Sequence, residues 1–489
     1  MREETLADVA ARNARDRPDV TAFVEAATGE RVTFSEYDDI STRMAGALRA
    51  RGWERGDRVA VQAPDGPYVH ALALACEKAG HVAVGIGARA GARERDHLLA
   101  HTGARTLLTD ARALLASAPR MTPSLRPFAA DELWFLNSTS GTTGLPKCVM
   151  HNQRRWFAFH SLAHTDAAFT TEDVFLSALP MPFGFGLWTS HFTPSIVGAP
   201  CVVVERFAAE VVLQAIEHHR VTVLAAVSSQ FVMLLESRAL DRHDLSSLRV
   251  MFTGGEMVPY ERAKAFEDRT GAAVLQFYGS NETGALSGTT REDPQDKRLR
   301  TAGRVIPEMH VRLLDPDTDA DITASGGPGV PAGKGPTLCL GYWNDEAANR
   351  KLFTDDGWMR MGDLATIDGD GYLTVVGRMS DIVIRGGKNI SAAEVEDEVS
   401  THPAVAICAV VPVLDDVFGE RVCACVELRP DGTLDLDLLR AHLAARGTGK
   451  ELWPERLVVF DALPRSSGGK IAKGELRALV AGGSGPIAR

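Results

Sequence analysis

Short apolar runs alternate with segments whose apolar residues recur at helical spacing, and this alternation restricts the fold more than any single residue does. Tyr37, Ile40, Met44 and Leu48 share one helical face, and GDRVAV, ending at Val61, follows as a short buried strand. Residues 67–78 read as a helix, HVAVGI as a second strand and residues 93–101 as another helix. Strand–helix–strand units of this kind build a largely parallel sheet covered on both faces. Further apolar runs at 174–179, 222–227, 248–252 and 273–277 alternate with helical stretches at 208–218 and 259–269, which calls for a second doubly wound unit. A chain of 489 residues exceeds one core, so two or more domains are expected.

From about residue 298 the texture changes to short strands and Gly/Pro/Asp turns. GGPGVPAGKG at 326–335 reads as turns between strands, and DGDGYLTVVGR at 368–378 as a hairpin-type turn before an apolar strand. Beyond Arg378 the remaining segment is long enough for its own small core. Within it Ser391 and Glu394 form a capping box opening a helix, residues 405–411 and 421–428 read as strands, and 434–445 as a helix. Cys423 and Cys425 fall on one face of the second strand, as reduced core thiols do.

Several function classes are disfavoured. The formal charge of −11 argues against a nucleic-acid surface. The most apolar region, 183–204, is interrupted by His191, Thr193, Pro194 and Pro200, and the charged N-terminus lacks an apolar signal core, so no membrane span and a cytoplasmic location are expected. GIGARAG at 85–91 has the wrong spacing for a dinucleotide loop and reads as a turn. His160 and His164 lack the glutamate beside the first histidine that a zincin needs.

One stretch carries chemistry by itself. Residues 138–147, STSGTTGLPK, follow a strand expected at 134–137 and precede a helix expected at 153–163. Five hydroxyls, two glycines and a terminal lysine suit a loop that wraps a polyphosphate, the hydroxyls and backbone N–H groups donating and the ammonium neutralising charge. Pro146 before Lys147 excludes a Walker A loop.

Four later stretches complete a pattern: YGSNETG (278–284), GWMRMGD (357–363), GRMSDIVIRGGKNISAAEVE (377–396) and PRSSGGKI (464–471). Together with the 138–147 loop, in this order and spacing, they resemble the adenylate-forming superfamily of acyl-CoA synthetases, carrier-protein-loading adenylation domains and luciferases. The resemblance runs from TFSEYDDIS at Thr33 nearly to the C-terminus. It implies an α/β fold: a large N-terminal domain (1–378) of two doubly wound subdomains plus a small β-barrel-like portion, and a small mobile α+β C-terminal domain (379–489). The reaction implied is ATP- and Mg²⁺-dependent adenylation of a carboxylic acid with release of pyrophosphate, followed by transfer to coenzyme A. A carrier protein or an amine is the alternative acceptor, and activation of nitrite to diazotise an aromatic amine is a third reading. A monomer or homodimer is expected.

Residue by residue, the resemblance assigns Thr139, Ser140, Gly141, Thr142, Thr143 and Lys147 to the β- and γ-phosphates. It gives Gly254, Gly255, Glu256, Phe277 and Tyr278 to the adenine side, and Asp363 and Arg378 to the ribose and phosphate. Asn281 would donate to the α-phosphate, Glu282 with Thr142 would hold Mg²⁺, and Lys470 would bridge carboxylate and α-phosphate. Gly386 and Gly387 would line the thiol tunnel after rotation about Ser380. The chain departs from the usual pattern at Cys148 (usually glycine), Asn281 (usually threonine), Met361 (usually small or hydroxylated) and Ser380 (usually aspartate or lysine). Phe183, Phe185 and Trp188 fall where the family borders its acid pocket, with Ser228 and Gly279 shaping the rest. A bulky apolar lining points to a compact cyclic, aromatic or short aliphatic acid.

Overall fold

The computed structural model describes residues 3–118, 125, 127–138, 146–256, 258–385, 388–415, 417–465 and 471–481. Two sheets carry the large N-terminal part. The wider has nine strands in the spatial order Arg304–Val305, Gly284–Gly288, Ala273–Ser280, Val250–Gly254, Val223–Ala225, Phe175–Ser177, Cys201–Val203, Thr21–Glu25 and Arg31–Thr33. The run from Ala273–Ser280 to Thr21–Glu25 is parallel, and antiparallel strands finish both edges. The second sheet orders Thr106–Leu108, Arg58–Val61, Val82–Gly85, Phe135–Ser138 and Cys148–His151, with only the last strand antiparallel. Val82–Gly85 is buried at every position, which is why its sequence does not alternate.

Both doubly wound units expected from the sequence are therefore present, and some of their helices are capped by polar side chains. Thr33 and Glu36 form a reciprocal box that starts the helix Phe34–Arg49 three residues before its first core tyrosine, Tyr37. Thr5 and Asp8 do the same for Leu6–Asp16, a helix that the charge-rich N-terminus did not advertise. No helix among the described residues is long and apolar enough to cross a membrane.

Two expectations need correction. Residues 326–335 are not only turns: Val330–Lys334 is the middle strand of a three-stranded sheet, between His310–Leu314 and Met359–Arg360. Pro331 has no N–H to give, but its carbonyl accepts from the Met361 N–H, so the strand tolerates it. The β-barrel-like portion is also different. Among the described residues it consists of this sheet and the hairpin Asp363–Ile367/Leu373–Arg378, with no closed barrel. Leu313, Ala365 and Leu373 join the main core, so these sheets bury a face against the large domain and do not close on themselves.

The smaller C-terminal part builds a five-stranded sheet from Ile382–Arg385, Lys388–Ser391, Val405–Asp415, Gly419–Leu428 and Arg456–Phe460. One face packs Val383, Val395, Val410 and Val422, and the other packs Val411, Cys423, Cys425, Phe460 and Leu476. The two cysteines thus lie on one buried face. Ser391 caps the helix Ala392–Ser400 by accepting from the Glu394 N–H. Glu236 ties the two parts together, since its carboxylate meets Arg262 at 3.0 Å and Arg429, from the C-terminal part, at 3.1 Å. Arg262 also donates to the Val405 carbonyl at 3.1 Å.

Candidate active site

Four strands of the two sheets deliver candidate residues at their carboxyl ends, where open α/β sheets place ligands. Phe135–Ser138 runs into the 138–147 loop, Val223–Ala225 leads to Ser228, Val250–Gly254 ends at the Gly254 turn, and Ala273–Ser280 carries Tyr278 and leads to Asn281 and Glu282.

Tyr278, Asp363 and Arg378 meet at one carboxylate. The Tyr278 hydroxyl donates to Asp363 Oδ2 at 2.9 Å, and Arg378 Nε lies 3.3 Å from Oδ1. Asp363 and Arg378 face each other across the hairpin in register, so the backbone itself sets this pair. Burial, followed by the Asp363 charge, pushes the Tyr278 pKa far up and keeps the phenol a donor. The Arg378 side chain stays 53% exposed.

A second cluster forms around Glu282. The Tyr342 hydroxyl donates to Glu282 Oε1 at 2.7 Å, and Lys147 Nζ sits 4.7 Å from the centre of the same ring. Burial and the Glu282 charge raise the Tyr342 pKa, so this hydroxyl also remains protonated. One carboxylate oxygen is thereby fixed. A single oriented carboxylate is the kind of protein ligand Mg²⁺ takes when phosphates supply the rest, so Glu282 fits that ion.

Asn281 pairs with Asn137 through two amide hydrogen bonds, of 3.1 and 2.6 Å. Gly279 is required beside it, because a Cβ there would stand 1.6 Å from the Gly284 carbonyl oxygen. Of the residues expected on the adenine side, Gly254 lies opposite Phe277 in the sheet, and Glu256 accepts from the Ser229 N–H at 3.2 Å.

The aromatic segment divides. Phe183 and Phe185 are half-buried, and Phe185 packs on Leu179, Ala225 and Val227, next to Ser228. Trp188 is core, stacked on Phe159 at 4.5 Å and against Phe185 at 5.7 Å, and it supports Phe185 from behind. It lies in a π-helical turn, Leu187–Phe192, a geometry frequent beside functional sites. Gly184 brings this segment to the Asn281 cluster: a Cβ there would be 2.6 Å from Asn281 Oδ1. The hydroxyls of Ser228 and Ser229, at the start of the helix Ser228–Leu235, are buried with no hydrogen-bond partner among the described residues.

Thr139, Ser140, Gly141, Thr142, Thr143, Gly386, Gly387 and Lys470, together with the side chain of Ser380, lie outside the described residues. Four residues that sequence reasoning passed over belong to the site: Tyr342, Arg155, His151 and Asn137. Tyr342 stands in LGYWND, which has no motif to flag it. Arg155 could have been suspected as a cation on the inward side of an expected helix.

The fold and these clusters define an α/β enzyme class in which a polar site at the strand ends is paired with a small separate C-terminal domain. The chain belongs to the AMP-binding enzyme family: residues 10–343 match the family's main domain and 394–470 its C-terminal domain. It is 34% identical to a feruloyl-CoA synthase from an Amycolatopsis species, over 98% of this chain and 99% of that protein. It is 30% identical to the medium-chain fatty-acid–CoA ligase of Escherichia coli (strain K12), over 97% and 90%. In structure it is similar to the o-succinylbenzoate coenzyme A synthetase of Bacillus subtilis in complex with ATP and magnesium ion, with a TM-score of 0.83 and 28% identity over 96% of this chain and 98% of that one.

Proposed function

We propose that the protein is an AMP-forming acid–CoA ligase that activates a compact aromatic acid. A carboxylate oxygen attacks the α-phosphorus of ATP, the bond to pyrophosphate breaks, and an acyl-adenylate forms. The thiol of CoA then attacks the acyl carbonyl, loses its proton and expels AMP. Asp363 accepts from the ribose hydroxyls while Tyr278 and Arg378 hold its orientation. Lys147, with Thr139, Ser140, Gly141, Thr142 and Thr143, holds the leaving pyrophosphate, and Asn281 donates to the α-phosphate. Mg²⁺, when bound at Glu282 and Thr142, would lower the charge on the phosphates. Lys470 bridges the two reacting groups. The C-terminal domain, divided from the rest at 378/379, turns at Ser380 to bring Gly386 and Gly387 to the thiol.

The observation that carries this reading is the convergence of Tyr278, Asp363 and Arg378 on one carboxylate, with Lys147 and Glu282 joined through Tyr342. These residues come from five separate stretches of sequence. For the acid, Phe185 backed by Trp188 supports a flat apolar ring, the unpartnered Ser228 and Ser229 hydroxyls support a polar substituent on it, and the feruloyl-CoA synthase relative accords with both.

The test is pyrophosphate release with ATP, Mg²⁺ and a panel of aromatic, aliphatic and inorganic acids, nitrite included. Acid-dependent release with a hydroxylated aryl acid, and a thioester only when CoA is added, is expected. Release without thioester formation would move the acceptor to a carrier protein or an amine. No release with any acid would overturn the reading.

A further inference from the structure

Arg155 is 1% exposed, an unusual place for a guanidinium, and each of its nitrogens is occupied. Nε donates to the Thr337 carbonyl at 2.8 Å and Nη2 to the Glu282 carbonyl at 3.2 Å. Nη1 donates to the Asn281 carbonyl at 3.0 Å and lies 2.7 Å from His151 Nδ1. One buried cation therefore pins the backbone that carries both Asn281 and Glu282. Burial lowers its pKa to about 10, leaving it charged at neutral pH.

The contact with His151 also has a direction. A guanidinium can only donate, so His151 Nδ1 must be the bare, accepting nitrogen and Nε2 must carry the proton. Burial and the Arg155 charge hold the His151 pKa well down, consistent with a neutral ring. Nε2 lies 2.7 Å from Asn137 Oδ1, and as a donor it requires an oxygen there. The Asn137 amide is thereby oriented, with its nitrogen turned to Asn281 Oδ1 and its oxygen accepting from Asn281 Nδ2. Each step leaves one choice, and the last fixes which atom of the Asn281 amide is nitrogen. The pairing uses one of the two Nδ2 protons.

We propose that Arg155 is a positioning residue that acts through His151 and Asn137 to set the polarity of the Asn281 amide, so that its second N–H, and not its oxygen, is presented to the α-phosphate. The inference rests on the adenylation reading for the α-phosphate contact. The relay has a purpose at this position in particular. A threonine hydroxyl can rotate to donate, whereas an asparagine must be held with the correct end forward, because its oxygen would repel a phosphate. The chain that carries Asn281 in place of threonine also carries the three residues that orient it.

The test compares AMP, which keeps the α-phosphate, with adenosine, which lacks it, by titration calorimetry. His151→Leu, which cannot transmit the polarity, should weaken AMP binding by about tenfold and leave adenosine binding within about twofold, the loss of one charge-assisted hydrogen bond. His151→Gln, whose oxygen can accept from Arg155 and whose nitrogen can donate to Asn137, should restore AMP affinity. In an Asn281→Ala background His151→Leu should add less than about a twofold further loss. Equal weakening of AMP and adenosine, failure of His151→Gln to restore binding, or additive losses in the double variant would each overturn the relay. If His151→Leu fails to fold, the comparison of wild type, His151→Gln and Arg155→Lys still decides. Arg155→Lys keeps a donor to His151 and should retain the AMP-over-adenosine preference, and its loss would refute the relay. A wild-type protein that binds neither ligand and releases no pyrophosphate would instead sink the adenylation reading.

Discussion

Tyr342→Phe isolates a single hydrogen bond at the Glu282 cluster. The ring remains, so the Lys147 ammonium keeps its face 4.7 Å away, while the 2.7 Å bond to Glu282 Oε1 is lost. A hydrogen bond to a charged group contributes about 1.5–3 kcal/mol. If that orientation is used in the adenylation transition state, kcat/KM for MgATP falls about 10- to 150-fold. The measurement is initial-rate pyrophosphate release at saturating acid with MgATP varied, and thermal melting confirms that the variant is folded. Tyr342→Leu removes the cation–π contact as well and should lose about a further two- to fivefold. A Tyr342→Phe enzyme within about twofold of wild type would show that Glu282 needs no such support, and the role given to Tyr342 would fall.

Other outcomes are equally definite. Asp363→Ala leaves the Tyr278 hydroxyl without its acceptor and should weaken ATP and AMP binding by about tenfold or more, so unchanged affinity by calorimetry would refute the ribose role. Lys470→Ala should nearly abolish acid-dependent pyrophosphate release while preserving the melting temperature, and wild-type release would disprove its assignment. Glu236→Ala removes the carboxylate between Arg262 and Arg429, both partly exposed, and should shift the ratio of adenylation to thioester formation by about two- to fivefold, a ratio that stays constant being the contrary result. Glu77 is fully buried and burial raises its pKa from 4.5 to about 7, so the wild type loses stability as pH rises through that interval. Glu77→Gln cannot ionise and should gain about 3 kcal/mol relative to wild type between the acid and alkaline sides of the window. Urea unfolding at both limits measures this, and a pH-independent difference would contradict it.

Much of the architecture was legible because buried parallel strands and amphipathic helices each leave a periodic trace. The strand Val82–Gly85 and the helix Pro67–Ala79 fall within a residue or two of their expected bounds. What escaped was set by tertiary context. Val330–Lys334 reads as a turn because Pro331, Gly333 and the preceding glycines carry little strand propensity, and its partners on either side make it a strand. The site shows the same division. Tyr278, Asp363 and Arg378 lie in recognisable stretches, and the structure brings them to one point. Tyr342, Arg155, His151 and Asn137 do not, because their roles depend on contacts between segments as far apart in sequence as Glu282 and Tyr342. For Trp188 the sequence left the acid border and the core equally open, since nothing in PMPFGFGLW says which ring faces inward, and the structure places it in the core.

The C-terminal part adds a constraint on how the second half of the site can be delivered. Asp381 directly follows the proposed pivot at Ser380, and it is held by Lys473 at 3.4 Å and Arg477 at 2.5 Å. Lys473 also meets Glu396 at 2.7 Å. Burial opposes the Lys473 charge, but Glu396 and Asp381 outweigh it and raise the pKa, so the ammonium persists through neutral pH. The helices Ala392–Ser400 and Lys473–Ala481 are therefore locked to the residue just after the pivot. A rotation of this domain would leave Asp381 moving with both helices, so the bend must fall on its N-terminal side, and the segment leading out of Lys470 would be carried with the pivot as one body. The orienting residues of the large domain, Arg155 among them, have no such freedom: they are fixed in its core. On the proposed reading, a rigid half would align the nucleotide and a moving half would supply the bridging lysine, and the Glu236 pair is one of the described contacts such a motion would have to break.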